Sequence, residues 1–256
     1  KKNWLVDQDW KLKNGEKIPA GQNGCSEVVN DINHCLINFW TVLANEQLFA
    51  EFNRVVQMAP VFSEELWEHA DNQLRNQNFS VSNPIPPQLR VQVAVAFFIT
   101  CRQSLAGRMD SFTGVTKTRT RGGINNEVNA WLSAVEGLPA VHERLKSVLV
   151  LIRDALEVIE NNDSPNTLFY CDPSYPHSTR TAKDVYQHEM SDSQHKNLLN
   201  LLGSLRGKFI LSSYRNAMYD AAAKKHSWNT KEIEIANHSA AGKEKERKVE
   251  VLYLNY

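Results

Sequence analysis

The sequence has no excess of charge of either sign. Its 256 residues include 29 Lys and Arg residues against 29 Asp and Glu residues, so the formal net charge is zero. A strongly basic composition would by itself indicate a nucleic-acid partner, and this sequence offers no such indication. Any contact with nucleic acid must therefore depend on local clusters of basic residues.

Cysteines are few, and none belongs to a recognisable motif. Cys25, Cys35, Cys101 and Cys171 form no C-x-x-C pair and have no histidine at zinc-site spacing. We therefore expect neither a disulfide scaffold nor a metal site, and reduced thiols in a cytoplasm fit this pattern. Long hydrophobic runs and internal repeats are also missing, so no membrane-spanning segment is expected.

The second half of the sequence does contain an alternation of strands and helices. The apolar segments "SVLVLI", "TLFYC" and "KFILSS" predict strands, and each is followed by a segment with helical periodicity. "TLFYC" is apolar throughout, which predicts a central strand buried on both faces. The last segments, "TKEIEIAN" and "KVEVLYLN", alternate with period two and predict an antiparallel hairpin. We therefore expect an α/β fold with a doubly wound, mostly parallel sheet.

The first half is mainly helical. After a short predicted strand, "SEVVND", the apolar residues of "INHCLINFWTVLANEQLFAEFNRVV" recur three and four apart and predict one helix. Further helices are predicted to start at Ser63, to run from Pro87 to Gly107, and to run from Asn126 to about Lys146. In the second half, one helix is predicted to begin at a Ser191–Gln194 capping box and to end at Gly207.

Basic residues concentrate between Arg102 and Arg121, where Asp110 is the only acid and several glycines lie. This composition predicts a flexible loop with local positive charge. We expect residues 45–146, which include this loop, to form a helical insertion. The rest of the domain is expected to consist of residues 1–44 and 147–256.

Three acids follow predicted strands closely: Asp31, Asp154 and Asp172. Ligands of open α/β sheets bind outside the carboxyl ends of the strands. Asp31, after an early strand, is placed to accept hydrogen bonds from ribose hydroxyls, and Asp154 is placed to approach the base of a nucleoside cofactor. A helix N-cap is the alternative role for both of these acids.

The segment "DPSY" gives Asp172 a different set of neighbours. Pro173 has a fixed φ and no N–H, so the Asp172 carboxylate and the Pro173 carbonyl form a stiff pair of acceptors. Such a pair suits the two donors of an exocyclic amine. Tyr175 can stack on the base, which contributes about 1–3 kcal/mol, similar to the few kcal/mol that base flipping costs. An isolated D-P-x-Y is more often a turn, but its position after an apolar strand favours a site.

"LFYCDPSY" resembles the D-P-P-Y motif of the Dam-type DNA adenine-N6 methyltransferases, in particular phage-like members. "SEVVNDINHCLINFWTVL", "RDALEVI", "HSTRTAKDVYQHEMSDSQHKNLLNLL" and the closing strands are also similar to segments of that family. The resemblance implies a Rossmann-like fold and methyl transfer from S-adenosyl-L-methionine to N6 of a flipped adenine. It also implies double-stranded DNA as partner and a cytoplasmic location in a bacterial or phage-infected cell.

The resemblance implies roles for individual residues as well. Asp172 and Pro173 would bind the adenine amino group, with Asp172 also beside the cofactor, and Tyr175 would stack on the adenine. Asp31 and Asp154 would bind the cofactor, and residues 45–146 would recognise the target sequence. The residues expected to contact DNA are Arg108, Lys117, Arg119, Arg121, Arg180 and Tyr186.

The sequence departs from the family pattern at two places. Ser174 stands where the family usually has a second proline, and residues 1–26 show no clear glycine-rich loop for the cofactor. A truncated form, a rearranged enzyme and a catalytically silent DNA-binding relative are all compatible with the second departure. Methylation of RNA adenine is a further alternative, because the same motif suits any planar nitrogen.

Overall fold

The computed structural model describes residues 26–115, 120–121, 123–179, 189–236 and 247–256. The strands are β1 (Glu27–Asn30), β2 (Thr120–Arg121), β3 (Ile124–Asn125), β4 (Val148–Leu151), β5 (Leu168–Cys171), β6 (Lys208–Tyr214), β7 (Asn229–Ala236) and β8 (Arg247–Leu254). The helices are α1 (His34–Ala44), α2 (Glu46–Met58), α3 (Glu64–Arg75), α4 (Arg90–Arg102), α5 (Asn126–Leu145), α6 (Ala155–Asn162), α7 (Asp192–Leu202) and α8 (Ala217–His226). The predicted mixed α/β class is confirmed.

The two longer sheets both contain parallel pairs. β1 pairs with β4 in parallel, and a four-stranded sheet has the order β5-β6-β8-β7. In that sheet β5 and β6 are parallel, whereas β8 is antiparallel to both β6 and β7. No ladder between described residues joins the β1–β4 pair to the four-stranded sheet. The residues that connect β7 to β8, 237–246, lie outside the described ranges.

The strand β5 is half exposed. Leu168 and Tyr170 are 56% and 60% exposed, whereas Phe169 and Cys171 pack against a buried apolar cluster. Among the described residues β5 has a ladder partner only on its β6 side, so it is an edge strand there. The prediction of a strand buried on both faces is therefore wrong for the described structure. The continuous apolar run does not indicate that the side chains of Leu168 and Tyr170 are exposed.

The helices α1 to α5 share one apolar core. Its aromatic members are Phe39, Phe49, Phe52, Phe98 and Trp131, all buried. The single helix predicted through this region is wrong in one respect, because the chain breaks at Asn45 between α1 and α2. The Asn45 side chain accepts a hydrogen bond from the Leu48 N–H at 3.0 Å and so begins a new helix.

A second apolar core lies between the four-stranded sheet and the helices α6, α7 and α8. Phe209 and Leu211 of β6 and Val251 and Tyr253 of β8 are fully buried in it. Burying one such aliphatic or aromatic side chain contributes about 1.5–3 kcal/mol. These residues alternate along both strands, so they lie on one face of β6 and β8, and that face packs in the second core.

The ends of α7 show one prediction confirmed and one wrong. The capping box is present, because Ser191 accepts from the Gln194 N–H while the Gln194 side chain accepts from the Ser191 N–H. The helix ends at Gly203 rather than at Gly207. Gly207 instead serves close packing, since a Cβ there would lie 2.8 Å from the carbonyl oxygen of Ser164.

None of the helices in the described ranges has the length and apolar character needed to span a membrane.

Candidate active site

A side-chain clamp holds the carboxyl ends of β1 and β4 together. Asn30 donates from Nδ2 to the carbonyl oxygen of Arg153 and accepts at Oδ1 from the Arg153 N–H, both at 3.0 Å. Asp31 directly follows Asn30, and Asp154 directly follows Arg153. The two predicted cofactor acids therefore lie at the same end of this parallel pair, where α/β sheets bind ligands.

The two acids have different local roles. Asp31 accepts from the Asn33 N–H at 2.8 Å, and Asn33 rather than Asp31 caps α1. The N-cap alternative is therefore wrong for Asp31. Asp154 does cap α6, with Oδ1 accepting from the N–H groups of Leu156 and Glu157. A capping role is thus confirmed for Asp154, and cofactor binding by either acid remains a prediction.

The D-P-S-Y segment begins at the carboxyl end of β5. Cys171 is the last residue of the strand, and Asp172 after it is exposed. Burial raises the pKa of the Cys171 thiol to about 12, so this cysteine stays protonated at neutral pH. A thiolate is therefore not expected at this strand end at neutral pH.

Tyr175 is held at both ends of its side chain. Its hydroxyl lies 2.8 Å from Ser212 Oγ and donates a hydrogen bond to the Glu250 carboxylate. Its ring packs edge-on against Tyr214, with 4.8 Å between centroids. Burial, and after it the hydrogen bond to Glu250, raises the pKa of Tyr175 well above its ordinary value. Tyr175 is therefore a neutral phenol with a fixed orientation.

The serine that replaces the expected proline has a structural role. Ser174 Oγ accepts a hydrogen bond from the backbone N–H of Met190 at 2.8 Å. A second contact lies nearby in the chain, where Asn216 Nδ2 donates to Ser178 Oγ at 2.9 Å. The first bond ties the motif to the start of α7, and the second ties the chain after it to the start of α8. A proline at position 174 offers no acceptor for the first bond.

The contacts of Tyr175 involve residues that the sequence analysis did not single out. Ser212, Tyr214 and Glu250 were assigned only to strands. A signal was present, because period two in "KFILSSY" places Ser212 and Tyr214 on the face opposite Phe209 and Leu211. A glutamate within the apolar final strand is a second such signal.

The predicted DNA-contacting residues are described only in part. Arg108 is exposed and follows a 3-10 turn over Leu105–Gly107. Arg121 lies in β2, opposite Ile124. The remaining ones, Lys117, Arg119, Arg180 and Tyr186, lie outside the described residues. Residues 1–25, whose sequence shows no clear glycine-rich loop, also lie outside them.

In the part of the chain that the structure describes, no group of three or more His, Cys, Asp or Glu residues has the geometry of a metal site.

The described residues thus form an α/β fold with Asp31, Asp154 and the D-P-S-Y segment at the ends of strands. The sequence model of the D12 class N6 adenine-specific DNA methyltransferases matches residues 19–251. The chain belongs to this family, which confirms the predicted relationship. It is a DNA adenine methyltransferase whose methyl donor is S-adenosyl-L-methionine. No curated protein sequence matches the chain.

Proposed function

We propose that this chain methylates N6 of an adenine at a specific sequence in double-stranded DNA, after the adenine has flipped out of the helix. The observation that carries this proposal is the arrangement after β5. Asp172 is exposed at the carboxyl end of the strand, Pro173 follows with its fixed φ, and Tyr175 is anchored beside them. These three residues provide two acceptors and one aromatic ring within four positions.

The chemistry of the acceptor pair follows from the two N–H groups of the adenine amine. The Asp172 carboxylate accepts from one N–H and the Pro173 carbonyl oxygen from the other. The lone pair of the nitrogen is then concentrated on the nitrogen rather than shared with the ring, which prepares it for attack. S-adenosyl-L-methionine, when bound, supplies the electrophilic methyl group.

The acids at the ends of β1 and β4 fit a nucleoside cofactor. Asp31 uses Oδ1 for the Asn33 N–H, and its Oδ2 has no hydrogen bond among the described residues. That oxygen can accept from a ribose hydroxyl. Asp154 uses Oδ1 to cap α6 and thereby fixes the chain beside the proposed position of the cofactor base. The Asn30 clamp keeps the two acids in register.

The overall organisation is also part of the proposal. The β1–β4 pair and the four-stranded sheet would form one Rossmann-like, doubly wound sheet, with β7 and β8 as its antiparallel hairpin. Residues 1–44 and 147–256 would form the methyltransferase domain, and residues 45–146 the target-recognition insertion. The apolar core that α2 to α5 share supports a compact insertion, and α1 of the methyltransferase domain packs against the same core.

The proposed DNA-binding surface includes two basic residues of the insertion, the exposed Arg108 and Arg121 in β2. Lys117, Arg119, Arg180 and Tyr186 complete the proposed surface. Guanidinium groups recognise phosphates and guanine edges. Because its substrate is DNA, we place the enzyme in the cytoplasm of a bacterial or phage-infected cell.

The test is transfer of labelled methyl from S-adenosyl-L-methionine to nucleic acid, followed by digestion to nucleosides. With duplex DNA whose adenines are unmethylated as the substrate, we expect the label in N6-methyl-2′-deoxyadenosine. DNA already methylated at N6, and RNA of the same sequence, serve as matched controls and should take up little label. Equal labelling of RNA, or cofactor and DNA binding without transfer, would contradict the proposal.

A further inference from the structure

One face of the four-stranded sheet carries a polar cluster next to the motif. Ser212 and Tyr214 are two residues apart on β6 and therefore share a face. Glu250 lies directly opposite Tyr214 in the β6–β8 ladder, so it belongs to that same face. The opposite face is buried in the second core. The cluster of Ser212, Tyr214 and Glu250 is thus presented by rigid sheet on the side where Tyr175 lies.

The cluster fixes Tyr175 through three contacts. The Tyr175 hydroxyl donates to Glu250, and Ser212 Oγ donates to the same Glu250 oxygen at 2.7 Å. The hydroxyls of Tyr175 and Ser212 are also within 2.8 Å of each other. Tyr214 packs edge-on against the ring and limits its rotation. Both torsions of the Tyr175 side chain are therefore restrained by residues that sit far away in the chain.

We propose that Glu250 and Ser212 are positioning residues for the methylation reaction, because they hold the Tyr175 ring at the angle at which it stacks on the flipped adenine. This inference rests on the proposed role of Tyr175 in stacking. An aromatic ring that is already fixed loses little rotational freedom when the base arrives. It also places the amine against Asp172 and Pro173 with less error, and small displacements at a reacting atom lower rates strongly.

A purely structural role for this hydrogen-bond cluster makes different predictions. In that case its loss would lower the temperature of unfolding and leave turnover per folded molecule unchanged. A positioning role predicts that turnover falls while the protein stays folded. The two roles are therefore separated by measuring kcat, KM and thermal unfolding on the same variants.

The test uses Glu250→Gln and Tyr175→Phe, alone and together. Each single variant is expected to lower kcat about tenfold, as the loss of one net hydrogen bond would, with little change in KM for the cofactor. The double variant should be no slower than the slower single variant, because both changes break the same contact. Tyr253→Phe is the matched control, since it removes a tyrosine hydroxyl of β8 that donates to Asp220 at 2.9 Å on the buried face. That control should keep the wild-type kcat.

A second readout separates this inference from the proposed function. Duplex DNA with 2-aminopurine in place of the target adenine reports stacking of the flipped base by quenching of its emission. Weaker quenching with Glu250→Gln and Tyr175→Phe, but not with Tyr253→Phe, would support positioning even in a chain that transfers no methyl. Unchanged quenching and a kcat within about twofold of wild type in both variants would overturn it, whatever the outcome for methyl transfer.

Discussion

Ser174 Oγ accepts a hydrogen bond from the Met190 N–H at 2.8 Å, although 16 residues separate the two in the chain. The bond joins the D-P-S-Y motif to the residue that precedes Ser191, the N-cap of α7. It gives a physical reason for a serine at a position where related enzymes usually have proline. The hydroxyl supplies by a tertiary contact part of the stiffness that a second proline would supply locally.

We predict that Ser174→Ala lowers the free energy of unfolding by about 0.5–1.5 kcal/mol, the usual net contribution of one hydrogen bond. Ser174→Pro should have a similar effect on unfolding and change turnover only modestly, because Asp172, Pro173 and Tyr175 are retained. Urea unfolding and kcat of both variants check this. Ser133→Ala, on the exposed face of α5, is the control, because the Ser133 hydroxyl has no hydrogen bond among the described residues. A rise in turnover of many orders of magnitude in Ser174→Pro would contradict this account.

The Asn30 clamp leads to a prediction about cofactor affinity. Asn30→Ala removes both hydrogen bonds to the Arg153 backbone. The side chain of residue 30 then no longer holds Asp31 and Asp154 in fixed positions relative to each other. We expect the dissociation constant for S-adenosyl-L-methionine to rise about tenfold, which corresponds to about 1.4 kcal/mol. Asn30→Asp keeps an acceptor for the Arg153 N–H but has no donor for the Arg153 carbonyl oxygen. Its affinity for S-adenosyl-L-methionine should therefore lie between those of the wild type and of Asn30→Ala. Isothermal titration calorimetry measures all three, and equal affinities would contradict the role of the clamp.

Substitutions of Asp154 and Asp31 should have different effects, the first on protein stability and the second on cofactor binding. Asn caps helices as well as Asp does, so Asp154→Asn should keep the stability of α6, whereas Asp154→Ala should lower protein stability by about 1 kcal/mol. Asp31→Ala leaves the Asn33 cap of α1 in place. It should weaken cofactor binding with little change in the thermal unfolding temperature. A loss of stability without a loss of cofactor affinity in Asp31→Ala would show that Asp31 is structural.

The partly buried thiol of Cys171, beside the motif, gives a pH prediction. Burial raises the pKa of Cys171 from its ordinary value of 9.0 to about 12. In the unfolded chain the thiol ionises near its ordinary value, so its contribution favours the folded state and is lost as the pH rises from about 9 towards 12. At pH 8 we expect iodoacetamide to leave Cys171 unmodified in the folded protein and to alkylate it in denaturant. Rapid alkylation of the folded protein, detected by mass spectrometry of peptides, would contradict this burial.

Helix caps and helix starts could be predicted from the sequence, because one residue and its near neighbours determine them. The cap at Ser63, the capping box at Ser191 and the long helix from Asn126 are all present. The break at Asn45 was missed because the apolar spacing continues across it, and a polar residue at such a position reads equally well as part of the exposed face.

Features that depend on sheet register could not be read from the sequence. Tyr175 and Glu250 are 75 residues apart and meet only because β8 pairs with β6 in one particular register. Likewise the exposure of Leu168 and Tyr170 depends on which strands flank β5, and an apolar run does not contain that information. The candidate site was therefore predicted as far as its motif, whereas the residues that orient the motif came from the fold.

In the proposed reaction, Asp172 accepts a hydrogen bond from the amine that is methylated. The most direct measurement is single-turnover transfer of labelled methyl to duplex DNA by Asp172→Ala, with DNA affinity measured on the same protein. We predict a loss of at least about a hundredfold in the transfer rate, typical for removal of one such partner in a transition state, with DNA affinity close to that of the wild type. Transfer by Asp172→Ala at the wild-type rate would contradict the account.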